Sequence, residues 1–335
     1  MKSWRSVIGI VLSVALLVWT LRGVSLAAVW NELESSNLLL FLASAVTATL
    51  IFPLRAIRWR IILEPVAPGL SLGPLWRSIA IGGMANNLLP ARAGEIARAY
   101  ALTRETTVPF ASSLASLAVD RLFDMVVLLA LGVAALLDPA FPRGARVAGQ
   151  TLGNLAQGSV VLVVLLVAGL YMLAIFPSQL VRAFEIFARR VSPAVEERGK
   201  SALIRFSAGL SVLKSPGRFL AVLFWTIVHW LVNALAFWLG FLAVGIHIGF
   251  PAALFLQMLI AVGVALPSAP GFFGVFEKLA TVGLAIYGVS ATAATSWAIG
   301  FHILSFIPIT VIGIYYFSRL GLSFRELRAQ PESPD

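Results

Sequence analysis

Four groups of ionisable residues sit inside or beside long apolar runs of this chain, where a charge is costly and therefore marks a candidate site. The first is Asn86-Asn87-Leu-Leu-Pro90-Ala-Arg92-Ala-Gly94-Glu95-Ile-Ala-Arg98. Arg92, Glu95 and Arg98 recur every three residues, which puts them near one face of a helix starting after Pro90. A helix N-terminus carrying arginines can hold a phosphate through backbone N–H groups and forked guanidinium contacts. A Glu95–Arg98 ion pair that closes the segment against its neighbours is the competing reading. The second group, Asp120-Arg121-Leu-Phe-Asp124, places two carboxylates one turn apart among apolar residues. Either Arg92 or Arg98 neutralises them structurally, or they receive a cationic head group or a proton.

The third group is Pro270-Gly271-Phe-Phe-Gly274-Val-Phe-Glu277-Lys278, where glycines permit close backbone approach and Glu277 lies about a turn into a helix. Against a binding role stands a plain helix start anchored at the interface by Glu277 and Lys278. The fourth group is Arg55-Ala-Ile-Arg58-Trp59-Arg60 at the end of an apolar run. Snorkelling arginines beside a headgroup-level tryptophan explain it most simply, with Arg58 the candidate for a lipid phosphate. Among the histidines, His229 and Asn233 share a helical face and read as a hydrogen-bonded packing pair rather than a proton relay. His302, near Ser305 and Pro308, reads as part of a kink with satisfied partners.

The elements that must position these groups are membrane helices. Of 335 residues 59% are hydrophobic and only 12% charged, a share well beyond that of soluble globular proteins. Without cysteine there is no disulfide framework, thiol nucleophile or thiolate metal site, and the three histidines lack metal-ligand spacing. No metal, cofactor or catalytic residue is expected, and the chain is read as not an enzyme. The net charge of +10 comes from basic residues in short loops between apolar segments, which points to anionic lipid head groups and away from nucleic acid.

Apolar runs predict full spans near 6–22, 37–57, 109–137, 157–176, 218–244 and 292–318. The first resembles a signal peptide but reads as an uncleaved helix, because Arg22 follows it and more membrane segments come after. Two longer blocks, 75–104 and 251–288, are interrupted by Leu89-Pro-Ala-Arg-Ala-Gly94 and Leu266-Pro-Ser-Ala-Pro-Gly271, which share the pattern L-P-x-x-x-G. A Pro/Gly break at membrane depth survives only where it is buried in protein or lines a wet cavity, so each block is expected to be a broken or re-entrant hairpin. The expected fold is therefore an all-α polytopic membrane protein of about six spans plus two hairpins in an inverted repeat. Residues 1–150 would form the first repeat and 151–318 the second, with an amphipathic cytoplasmic connector at 177–217 and a basic, disordered tail at 319–335. Placing both termini in the cytoplasm puts most of the 25 basic residues on the inner side of the cell membrane.

Taken together, R-x-x-R-W-R at 55–60, N-N-L-L-P-A-R-A-G-E at 86–95, D-R-L-x-D at 120–124 and P-S-A-P-G-F-F-G-V-F-E at 267–277 resemble the lysylphosphatidylglycerol synthase transmembrane-region family, the flippase-like membrane proteins. The likeness runs over nearly the whole chain. It implies that Arg92, Glu95, Arg98, Asp120, Arg121, Asp124 and Glu277 line a lipid path between the hairpins, with Arg58, Asn87, Gly271 and Lys278 beside them. Bifunctional members carry an aminoacyl-transferase domain after the membrane region, whereas this chain is expected to stand alone. A lipid translocator for a charged or glycosylated head group is the expected function; the partner lipid would be a phospholipid, an aminoacyl-phospholipid or a polyprenyl phosphate, and a homo-oligomer is a further expected partner. A proton- or ion-coupled carrier of a small anion would use the same hairpins, and an accessory subunit or enzyme of lipid biosynthesis is the third class.

Overall fold

The computed structural model describes residues 11, 14–22, 24–89, 93–142, 146–147, 150–151, 161, 164–165, 168, 215–264 and 269–323. The span expected at 157–176, the connector at 177–217 and the tail at 319–335 therefore lie mostly outside the described residues.

Local signals set the helix boundaries. Helix α1 (Val14–Leu21) meets α2 (Leu26–Glu34) at 81°, and the Ser25 hydroxyl starts α2 by accepting the Ala28 N–H at 3.3 Å. Asn37 caps α3 (Leu38–Leu63) through the Leu40 N–H at 3.1 Å. After a short turn come α4 (Leu72–Leu88) and α5 (Gly94–Glu105), then α6 (Phe110–Leu136), which begins directly behind Pro109. A two-residue antiparallel pair follows, β1 (Arg146–Val147) with β2 (Gln150–Thr151). Helix α7 (Pro216–Ala243) has proline at its first position, where no backbone donor is missed. The last elements are α8 (Phe250–Gly263), a single 3₁₀ turn (Pro270–Phe272), α9 (Val275–Ile286) and α10 (Ala291–Arg319).

Three described helices, α3, α7 and α10, are long and apolar enough to cross a membrane, with the bent pair α1–α2 a fourth if taken as one span. Three of the six expected spans, 37–57, 218–244 and 292–318, are met by these helices among the described residues, and 157–176 lies mostly outside those residues. Helix α6 has 27 residues, but Asp120, Arg121 and Asp124 in its middle deprive it of an uncharged stretch of membrane length. Apolar stripes face outward at helical spacing, Leu38, Leu42, Val46 and Leu50 on α3 and Ile303, Ile307, Val311 and Ile314 on α10, as a lipid surround requires.

Both broken blocks fold as two helices apiece, α4–α5 and α8–α9, and the packing is reciprocal. Helix α3 lies along α7; α4 packs on α10 while α8 packs on α6; α5 rests on α6 as α9 does on α10. The first hairpin is closed by backbone contact. A Cβ built on Gly82 would stand 2.8 Å from the Gly94 carbonyl oxygen and 2.9 Å from Arg98 Cβ. Gly82→Ala is therefore expected to push α5 away from α4 and destabilise the fold by about 1–3 kcal/mol, the cost of overpacking a tight interface. Reversible unfolding in lipid nanodiscs checks this, and unchanged stability would mean that the hairpin spreads freely.

Candidate functional site

Charge is concentrated where α3, α5 and α6 converge. Arg58, fully buried, donates from Nη1 to Asp124 Oδ1 at 2.6 Å and forms an ion pair with Asp120, its Nη2 2.6 Å from Oδ1. Arg98 Nη1 reaches Asp120 Oδ2 at 3.2 Å, and Arg55 Nη2 stands 3.7 Å from the same oxygen. Arg121 pairs with Glu95 and lies 3.5 Å from Asp124 Oδ2. Helix α7 adds the Trp230 indole N–H, donated to Asp124 Oδ1 at 3.1 Å, and Thr226 Oγ1, 3.2 Å from Arg58 Nη1. The aspartates one turn apart on α6 thus serve as a clamp that gathers arginines from three helices.

The sum of this cluster matters more than its pairs. Four guanidinium groups, Arg55, Arg58, Arg98 and Arg121, face three carboxylates, Glu95, Asp120 and Asp124, which leaves one positive charge in excess. Arg98 is 4% exposed, its guanidinium rests 3.8 Å from the centre of the Trp59 ring, and its Nε and Nη2 have no hydrogen-bond partner among the described residues. Beside it is a cavity of about 170 Å³ walled by Arg55, Asn86, Asn87, Glu95, Arg98 and Arg121, with Phe272 of the second hairpin and Ile309 of α10 on the far side. The Arg121 side chain, 43% exposed, marks the mouth. A buried cation with idle donors beside a cavity can receive an oxyanion.

The second cluster lies behind Phe272. Glu277, 2% exposed, accepts the Gly274 N–H at 2.6 Å through Oε2, while Oε1 stands 2.6 Å from His302 Nδ1. The other ring nitrogen, His302 Nε2, is 2.8 Å from the Gly271 carbonyl oxygen. Gly271 and Phe272 both take positive φ, 67° and 61°, a conformation rare for phenylalanine. Phe273 stacks on the His302 ring at 4.4 Å between centroids.

Several expectations change on contact with this geometry. Glu95 and Arg98 do not pair with each other; they bond Arg121 and Asp120 on α6. Arg58 and Trp59 are not snorkelling anchors, because both are completely buried and Trp59 Nε1 bonds Ser116 Oγ at 2.8 Å. His229 and Asn233 part company: His229 Nδ1 is 3.9 Å from Asp124 Oδ1, and Asn233 donates to Gln257 Oε1 at 3.0 Å. Asn87 lines the cavity and donates to Thr310 Oγ1 at 2.7 Å, tying α4 to α10. Arg58, Asp120 and Asp124 stand behind the cavity wall, as do Gly271 and Glu277, while Lys278 turns to the Trp19 ring at 3.9 Å. Arg92 lies outside the described residues. Reading of the sequence missed Arg55 as a wall residue and the Glu277–His302 contact. Two complementary ionisable groups at membrane depth, each without a partner on its own helix, were the available signal.

A family model described as the lysylphosphatidylglycerol synthase TM region matches residues 6–313. The chain belongs to that family. Similar proteins include a UPF0104 membrane protein of Methanothermobacter thermautotrophicus, 25% identical over 85% of this chain and 86% of that protein. A UPF0104 membrane protein of Methanocaldococcus jannaschii is 19% identical over 69% of this chain and 92% of its own length. The glycosyltransferase AglD of Haloferax volcanii is 29% identical over 92% of this chain, which spans only 53% of that relative. This overturns the expectation of a chain that is not an enzyme, since a relative matching most of the family region is itself named a glycosyltransferase. The error came from treating the lack of a known catalytic motif as evidence of no catalysis. No solved structure matches the chain.

Proposed function

We propose that this membrane protein binds the phosphate of a charged or glycosylated membrane lipid in the arginine-lined cavity and carries the head group between leaflets. The tails would stay in lipid. The observation that carries the reading is the excess positive charge at Arg55, Arg58, Arg98 and Arg121, together with the unbonded donors of buried Arg98. Residues of both hairpins meet at the cavity, Glu95 and Arg98 from one and Phe272 from the other, which supports a path between the hairpin tips. The reciprocal packing of α4 on α10 and α8 on α6 supports an inverted repeat, and the basic loops support cytoplasmic termini.

Leaflet exchange of labelled lipids in proteoliposomes tests the proposal, with phosphatidylglycerol, its lysyl ester and a polyprenyl phosphate compared. The expected result is selective exchange of one phosphate-bearing lipid; equal, protein-independent rates for all three would sink it. A second reading, in which the cavity presents a lipid phosphate as acceptor in a glycosyl transfer, draws support from the name of the Haloferax relative. Incorporation of sugar from a labelled nucleotide sugar into the polyprenyl phosphate, without leaflet exchange, would favour it.

A further inference from the structure

The carbonyl oxygen of Gly271 can only accept, so His302 Nε2 must carry the hydrogen in its 2.8 Å contact. The opposite nitrogen, Nδ1, faces a Glu277 carboxyl oxygen at 2.6 Å, and a hydrogen must lie between those two atoms as well. An ionised Glu277 beside a neutral His302 supplies only one of the two hydrogens. The arrangement therefore holds one proton more than that pair, as imidazolium with carboxylate or as imidazole with carboxylic acid. Both groups are buried, Glu277 at 2% and His302 at 7% exposure, and the transport reading gives neither contact with the lipid.

We propose that Glu277 and His302 form a proton-binding site that latches the cavity wall. With the proton bound, the ring holds the Gly271 carbonyl, and Gly271 with the left-handed Phe272 keeps the phenyl ring in the wall opposite Arg98. Loss of the proton to water leaves a lone pair facing an acceptor at one ring nitrogen, so one contact breaks and the Pro270–Phe272 turn is released. The strained φ of Phe272 favours release at the turn. The site deepens the transport reading, on which its role in coupling rests: proton movement would open and close the wall against which the head group sits.

Among the described residues no other charge pairs with this site. The elements packed on α10 carry Glu32 and Glu34 on α2, Arg55, Arg58 and Arg60 on α3, Arg77 on α4, His229 and Arg218 on α7, and Lys278 on α9. Among the described residues the ion-pair contact of His302 is with Glu277 alone. Arg58 is held by Asp120 and Asp124, Arg77 by Glu105, and Lys278 lies over Trp19.

The chain has no cysteine, so Phe272→Cys places a single thiol in the wall of the full-length protein. Its labelling rate by a small neutral methanethiosulfonate is measured against pH in nanodiscs, with no added substrate lipid. The same rate in the Glu277→Gln background is the divisor and removes the thiol's own pH dependence. The amide introduced by Glu277→Gln can donate to His302 Nδ1 and accept from the Gly274 N–H, so it mimics the loaded site without a proton to lose. The rate ratio is expected to rise about tenfold as pH increases, the effect of one lost charge-assisted hydrogen bond. His302→Ala, checked for retained helicity, is expected to label fast at every pH. A ratio independent of pH, or slow labelling in the folded His302→Ala protein, overturns the latch. Because no lipid is moved, failure here is separate from failure of leaflet exchange.

Discussion

Arg58→Ala is expected to destabilise the protein by about 3 kcal/mol, the low end for breaking a buried ion pair, because Arg98 and Arg121 still attend the aspartates. Among the described residues Arg58 is the one side chain that bridges Asp120 and Asp124 directly, at 2.6 Å to each. Its loss leaves Asp124, among the described residues, with the Trp230 N–H and the more distant His229 at Oδ1 and Arg121 at Oδ2. Denaturant titration in nanodiscs measures the change. Removing Arg58 and Asp124 together, Arg58→Met with Asp124→Asn, is expected to recover most of it, since the interior keeps its charge balance and Asp120 keeps Arg98. Equal stability of Arg58→Ala and the wild type would show that α3 and α6 are held by apolar packing alone.

Arg98→Met should separate binding from folding. Methionine keeps an apolar stem in place of the guanidinium that rests over Trp59 and bonds Asp120, and removing one of four guanidinium groups leaves three cations for three carboxylates, an electrically balanced interior. What disappears is the pair of idle donors, Nε and Nη2, beside the cavity. Lipid exchange is expected to fall about 30-fold, which corresponds to about 2 kcal/mol for one buried charged contact. Arg98→Lys would restore only part of the rate, because an ammonium lacks the planar fork that matches a phosphate. Exchange at the wild-type rate in Arg98→Met would place the phosphate elsewhere.

The breaks in the chain were the most legible part of the fold. Proline and glycine at 90–94 and 267–271 forbid a continuous helix wherever the pattern is read, and both blocks divide there. Helix ends were also within reach, since Asn37, Ser290 and Pro216 act through the two or three residues beside them. The site was legible by residue and illegible by partner. Ionisable residues at membrane depth identified Arg98, Asp120, Asp124 and Glu277, but nothing local could say that Arg58 points inward while Arg60, two residues on, lines a surface groove with Glu64 and Arg218. Helical periodicity assigns a face and not what covers it. Glu277 and His302 are 25 positions apart, across a helix end and a turn, so their meeting depends on how α9 folds back on α10.

The exchange of partners between the two sets of helices has a consequence for synthesis. Helix α6 emerges from the ribosome with both aspartates, and α3 with Arg58, long before α7 brings Thr226 and Trp230 to the same atoms. Helix α4 waits longer still for α10, the last helix described, to supply Thr310 for Asn87. The nascent chain must therefore shelter an incomplete polar core from lipid until its final hundred or so residues have been inserted, and helpers of membrane-protein assembly have a natural point of action in that interval.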